Sequence, residues 1–173
     1  MVIEFIKHLT QLSNGNIIIV GGTGRYLRGY RNKELNPSFI DVSFKTTEHF
    51  SFFKNEIEFS EVENTFPYPC TQRYVGRTKY NGQRFTLDVF INPQDLETTL
   101  VNVDGIMVTT LTDQQDLWYT KNLLEKLPEP HSRHFEKLKL LSSFLKKRKK
   151  RLLRITKQNL MKSLKKRQPT PFQ

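Results

Sequence analysis

Residues 16–29, Asn-Ile-Ile-Ile-Val-Gly-Gly-Thr-Gly-Arg-Tyr-Leu-Arg-Gly, carry the reading of the fold. Residues 17–20 are a short β-branched apolar run, the pattern of a buried strand. It stops abruptly at Gly21-Gly22, and residues 25–31 have the length of one or two helical turns. Asn36-Pro37 breaks the chain before residues 39–44 (FIDVSF), a second strand of alternating character. Ahead of this segment Ile3, Ile6, Leu9 and Leu12 fall at helical spacing, stopped by Ser13-Asn14-Gly15-Asn16. The N-terminal order is helix, strand, glycine turn, helix, strand.

Further along, Thr46-Thr47-Glu48 caps a short helix containing Phe50, Phe52, Phe53 and Ile57. Residues 74–80 and 84–91 read as two strands joined around Asn81-Gly82, a pair that accepts the positive φ a two-residue hairpin demands. Residues 100–111 are apolar and β-branched, interrupted by Asp104-Gly105. Residues 113–127 return to helical spacing through Leu117, Trp118, Leu123, Leu124 and Leu127. Trp118 and the phenylalanines read as core residues. Pro128-Glu129-Pro130 marks a boundary.

Charge divides the chain at that boundary. The protein has 28 Lys and Arg against 17 acids, a formal net charge of +11. Residues 131–173 hold 15 of those basic side chains and a single acid, Glu136, so residues 1–130 are slightly acidic. The first 130 residues suffice for one compact domain, whereas the remainder is too polar to build a core of its own. In that remainder Phe135, Leu138, Leu141, Leu145, Leu152, Ile155, Leu160 and Leu164 recur at helical spacings, predicting one or two basic amphipathic helices ending at Gln168-Pro169. The block Lys146-Lys147-Arg148-Lys149-Lys150-Arg151 repels itself in water and calls for a polyanion. Nucleic acid fits it better than an anionic membrane, because Phe172 is the sole aromatic after Phe144 and membrane-surface helices favour aromatic anchors.

Other classes are excluded or disfavoured. No stretch approaches the roughly 18 apolar residues that a transmembrane helix needs. Met1 to Leu12 contains Glu4 and lacks the Arg and Ser richness of a transit peptide, so no cleavable targeting signal is expected. The single cysteine, Cys70, rules out an internal disulfide. His131 and His134 have no companion ligands for zinc.

The segments taken together resemble the head domain of the poly(A) polymerase and CCA-adding enzyme family, within the polymerase-β-like nucleotidyltransferase superfamily. Residues 16–29 resemble its strand, Gly-Gly and Arg-Asp-x-Leu-Leu-Gly opening. Residues 36–44 (NPSFIDVSF) stand where the family has a strand bearing Asp-x-Asp, and residues 82–91 (GQRFTLDVFI) place Asp88 at its third carboxylate. Residues 103–109 (VDGIMVT) occupy the place of Arg-Asp-Phe-Thr-Ile-Asn, and Asp113-Gln-Gln-Asp-Leu117 is similar to the following Gly-x-x-Asp-Leu. The likeness covers about residues 16–127. It implies that Asp-x-Asp and a third acid hold two Mg²⁺ ions. Here Phe39 replaces the first Asp, leaving Asp41 and Asp88; in the shifted register Asp41 is first and Ser43 second. Tyr26, Val103 and Val108 depart from the family pattern as well.

These observations predict an α+β fold: a nucleotidyltransferase-like mixed sheet flanked by helices in residues 1–130, then a basic helical RNA-binding extension in residues 131–173. Loss of metal ligands leads to the expectation of a non-catalytic domain, a pseudoenzyme with no cofactor and no metal. Asp41, Asp88 and the glycine turn Gly21-Gly22 are then remnants of a site. Its expected role is structural, as an RNA-binding ribosomal protein among the RNA and proteins of a large ribonucleoprotein, with a mitochondrial ribosome suggested by the Lys/Asn/Phe/Ile-rich composition. Arg25, Arg28, Arg31, Lys146, Lys147, Arg148, Lys149, Lys150, Arg151, Arg154, Lys157, Lys162, Lys165, Lys166 and Arg167 are the expected RNA contacts. The alternatives are a Mg²⁺-dependent nucleotidyltransferase acting on tRNA or another RNA, and a virion or assembly protein that packs nucleic acid.

Overall fold

The computed structural model describes residues 1–30, 38–62, 70–93, 96–127 and 132–166, without the side chains of 132–134 and 163–166. Helix α1 (Val2–Leu12) buries Phe5, Ile6 and Leu9 and ends where Ser13 Oγ accepts from the Ile17 N–H. Strand β1 is short, Ile18–Ile19, and is followed at once by α2 (Gly21–Leu27). The helix therefore begins ahead of the expected Arg25: Gly21 adopts φ +60°, the chain reverses, and the Gly24 N–H reaches the Val20 carbonyl to close the first turn. Strand β2 (Phe39–Phe44) leads into α3 (Thr47–Lys54), where the Thr46 hydroxyl accepts from the His49 N–H as an N-cap.

Strand β3 (Phe59–Glu61) has no counterpart in the sequence reading. Its Phe59 ring lies over Gly76 of β4, where a Cβ would sit 2.3 Å from the ring, so that glycine makes room for the edge strand. Strands β4 (Gln72–Tyr80) and β5 (Gln83–Ile91) form the expected hairpin, and the apolar run of residues 100–111 folds back at Asp104-Gly105 into a second one, β6 (Thr98–Val103) and β7 (Ile106–Leu111). Both two-residue turns, Asn81-Gly82 and Asp104-Gly105, have positive φ at each position, the requirement of a type I′ turn. Helix α4 (Asp113–Lys126) is capped by the Thr112 hydroxyl, and α5 (Ser132–Lys166) is one continuous helix of 35 residues.

The strands form one mixed sheet of seven in the order β3-β4-β5-β2-β1-β7-β6. Strand β2 pairs in parallel with β5 and antiparallel with β1, which in turn runs parallel to β7. Alternation then sorts the side chains. Ile40, Val42, Phe44, Leu87, Val89 and Ile91 join Phe5, Leu9, Phe50 and Phe53 in the main core beneath α1 and α3. Phe39, Asp41 and Ser43 point to the other face, together with Thr86, Asp88 and Phe90. There a smaller core of Ile18, Val20, Phe90, Leu111 and Tyr119 seats α4.

The first half of α5 belongs to this body, because Leu141 is fully buried and Phe144 meets the Tyr30 ring edge-on at 4.2 Å. Beyond it Leu152, Leu153, Ile155 and Leu160 are exposed. The boundary at Pro130, with residues 128–131, lies outside the described residues.

Leu141→Ala is expected to lower the unfolding free energy by about 2–5 kcal/mol, and Leu153→Ala by less than about 0.5 kcal/mol, in denaturant titrations. Equal small effects would remove α5 from the core.

Candidate functional site

The parallel register of β2 and β5 sets Asp41 directly beside Asp88. Both side chains leave the same face of the sheet, the one on which α4 is seated. The turn after β1 presses on the pair. The Val20 N–H donates to the Asp41 carbonyl at 2.9 Å, the Gly22 N–H donates to the Asp41 carboxylate, and a Cβ on Gly21 would lie 1.9 Å from Oδ2 of Asp41. Only glycine fits there, for its φ and for this contact alike.

Two carboxylates so placed repel each other. Burial and the neighbouring charge of Asp88 push the Asp41 carboxyl up to about 6, with Lys137, Arg25 and the Gly22 N–H acting in the opposite direction. Asp88 is buried and held bidentately by Arg73, with Nε and Nη2 donating to its two oxygens at 2.8 and 2.7 Å. The contact with Asp88 raises the Arg73 pKa in turn. Ser43, the second acid position in the shifted register, is buried and donates to the Phe90 carbonyl at 2.9 Å, so it takes no part in the carboxylate pair. Phe39 stands two residues before Asp41 on the same face and is 46% exposed. Among the described residues no group of three or more His, Cys, Asp or Glu comes together.

The structure gives Arg25 and Arg28 a task other than the expected phosphate contact. Arg25 is 4% exposed and donates to Asp116 of α4 at 2.9 Å. Arg28 donates to the other Asp116 oxygen and to the Leu111 carbonyl. Arg25 is buried with its partner, whereas Arg28 pairs with Asp116 and still lines the cleft beside α5. The segments that the sequence pairs with the family's Arg-Asp and Gly-x-x-Asp-Leu motifs thus meet through one ion-pair cluster.

On α5 the expected contacts separate. Arg148 pairs with Asp113, while Lys146, Lys149, Lys150, Arg151, Arg154, Lys157 and Lys162 are exposed. Lys147, Arg148 and Arg151 line a cleft of about 650 Å³ with Arg28, Thr99 and Phe144. Arg31 and Arg167 lie outside the described residues, as do the side chains of Lys165 and Lys166. Lys137 and Arg73 escaped the sequence reading. Lys137 belongs to a cation-rich helix in which nothing local distinguishes it, and Arg73 is marked only by the β4–β5 register.

No protein-family model matches the chain, and no curated protein matches it by sequence. Solved structures do. ANT(2″)-Ia, in complex with adenylyl-2″-tobramycin, matches 92% of this chain and 97% of its own with a TM-score of 0.59 at 15% identity. JHP933 from Helicobacter pylori matches 81% of this chain and 64% of its own with a TM-score of 0.51 at 16% identity. The fold is nucleotidyltransferase-like. Because residues 1–130 make up only about three-quarters of the chain, the match to ANT(2″)-Ia takes in part of the C-terminal helical region.

This likeness corrects the expectation of a non-catalytic pseudoenzyme serving as a ribosomal protein. The complex of ANT(2″)-Ia with an adenylylated compound points to an enzyme, and neither match is ribosomal. The missing acid at Phe39 does not by itself exclude a metal site. Mg²⁺ is commonly held by one or two carboxylates together with substrate phosphates.

The raised Asp41 pKa fixes the sign of a pH effect. Between the unfolded value near 4 and about 6 the native state binds the extra proton, so stability falls as pH rises through this window and levels off above it. Thermal melts without divalent cations are expected to show this slope between pH 4 and 6, and Asp41→Asn is expected to flatten it.

Proposed function

We propose that the chain is a nucleotidyltransferase that moves a nucleoside monophosphate from a nucleoside triphosphate to a hydroxyl acceptor, forming a phosphodiester as the α–β phosphoanhydride breaks and pyrophosphate and the hydroxyl proton leave. The observation that carries this reading is the side-by-side placement of Asp41 and Asp88 under the glycine turn, in a fold of nucleotidyltransferase type. The donor set suits one Mg²⁺, with two adjacent carboxylates on one sheet face, one of them raised in pKa by burial and by its neighbour Asp88. Asp41 and Asp88 would hold it, and bound there it would neutralise charge developing on the transferred phosphoryl group.

The rest follows from the protein's own groups. Arg73 clamps Asp88 in one orientation, so the carboxylate is positioned before substrate arrives. Lys137 favours the charged form of Asp41. At neutral pH Asp41 is mostly ionised, and it gains a proton as the pH falls to about 6, so binding of cation and nucleotide weakens on the acid side.

The acceptor we favour is RNA, in keeping with the resemblance to poly(A) polymerases and CCA-adding enzymes. The exposed cations of α5, from Lys146 to Lys162, supply a sequence-independent grip on phosphates.

Incubation with radiolabelled nucleoside triphosphates, Mg²⁺ and a panel of RNAs should give label transfer. Asp41→Ala and Asp88→Ala should each reduce it by roughly a hundredfold or more, whereas the exposed Asp104→Ala should leave it unchanged. Calorimetric titration with Mn²⁺ reads the site without catalysis, and both carboxylate variants should lose the binding heat. Transfer that survives either carboxylate substitution would sink the assignment.

A further inference from the structure

The face that bears the two carboxylates continues along the β4–β5 hairpin, and its composition changes abruptly there. In register, Asp88 is followed on its own face by Thr86 and then Arg84, and these stand opposite Arg77 and Lys79 of β4. Arg77, Lys79 and Arg84 are exposed and, among the described residues, meet no acid. They line a cleft of about 700 Å³ with Thr86. Phe39 lies directly across from Thr86 on β2, so a half-exposed aromatic ring separates the cations from Asp41.

Three unpaired cations that repel one another do not stabilise a hairpin. Nor is an exposed phenylalanine explained by core packing, since Phe39 belongs neither to the main core nor to the smaller one beneath α4. Same-face residues along a strand stand about 7 Å apart, comparable with the spacing of successive phosphates in an extended nucleic-acid strand. Cations that track a backbone beside an aromatic platform for a base are how single strands are held without sequence preference.

We infer that Arg77, Lys79, Arg84 and Phe39 form a groove for single-stranded nucleic acid, whose phosphates run along the hairpin while a base near the acceptor end stacks on Phe39, next to Asp41 and Asp88. This deepens the proposed transfer reaction by naming its acceptor strand, and it rests on that reading for the role of the carboxylates. It also gives the replacement at position 39 a physical content: the face exchanges a metal ligand for a stacking surface. The groove is separate from the cations of α5, which grip the strand elsewhere.

The test is binding of a fluorescein-labelled 12-nucleotide oligoadenylate to the full chain by anisotropy over a salt series, with titration of ATP–Mg²⁺ as a second arm. Combined substitution Arg77→Ala, Lys79→Ala and Arg84→Ala should weaken oligonucleotide binding at least tenfold. It should also shrink the slope of log K against log salt by about 2, three contacts at roughly 0.7 each. Phe39→Ala should weaken binding roughly tenfold with little change of slope. Both variants should keep the wild-type melting temperature and ATP affinity. Unchanged oligonucleotide affinity and slope in the triple variant would overturn the groove, as would loss of ATP binding with oligonucleotide binding intact, which assigns the phosphates to the nucleotide. Because binding requires no turnover, absence of label transfer with the groove effects present would refute the reaction and leave the groove standing.

Discussion

The buried pairing of Arg25 and Arg28 with Asp116 holds the working parts together. It ties the helix after the glycine turn to α4, across the strand end at Leu111, in a region where the guanidinium of Arg25 is almost wholly withdrawn from water. Charges buried in this way depend on their partners, and removal of one partner of such a pair commonly costs about 3–5 kcal/mol because the other is stranded. Asp113, one turn earlier on α4, is shared between Arg28 and Arg148, which brings α5 into the same network. Burial and the neighbouring Asp113 also raise the pKa of Tyr30, so its hydroxyl stays protonated while its ring packs on Phe144.

With α2 fixed, the position of the Gly21-Gly22 turn over Asp41 follows. The turn has no freedom to retreat, and Gly21 lies so close to the carboxylate that a larger residue would displace it. The second carboxylate is fixed from the opposite side, by the Arg73 fork on β4. Each acid is therefore oriented by a different part of the chain, and burial together with the neighbouring Asp88 raises the pKa of Asp41. Such a strained pair of like charges is a common mark of a functional site.

The C-terminal helix has two physical characters in one continuous element. Its first turns contribute Leu141 and Phe144 to the body and bring Lys137 toward Asp41, whereas its later turns expose both cations and apolar side chains. A division into a body ending at residue 130 and a separate basic extension follows composition, and Leu141 shows that packing crosses this line. Net charge is a sum over residues and carries no information about which of them are neutralised by neighbours. Arg25, Arg28 and Arg148 count as cations in the sequence and are paired in the structure.

The sequence by itself determined the local elements. Apolar spacing placed α1 and α4, Asn81-Gly82 marked one tight turn and Asp104-Gly105 an interruption, and the strands of residues 39–44 and 84–91 could be read from their local pattern. Those signals are local, because side-chain periodicity and positive φ are properties of a few consecutive residues. The order of the motifs was also enough to suggest a nucleotidyltransferase-like sheet and to single out Asp41, Asp88 and Gly21. Tertiary structure alone decided what these residues meet. The parallel register of β2 and β5 brings together acids 47 positions apart, Arg73 reaches Asp88 across a hairpin, and Lys137 arrives from a helix after every strand. Pairings of that kind depend on strand order and register, which arise from packing the whole sheet and leave no mark within a short window of sequence.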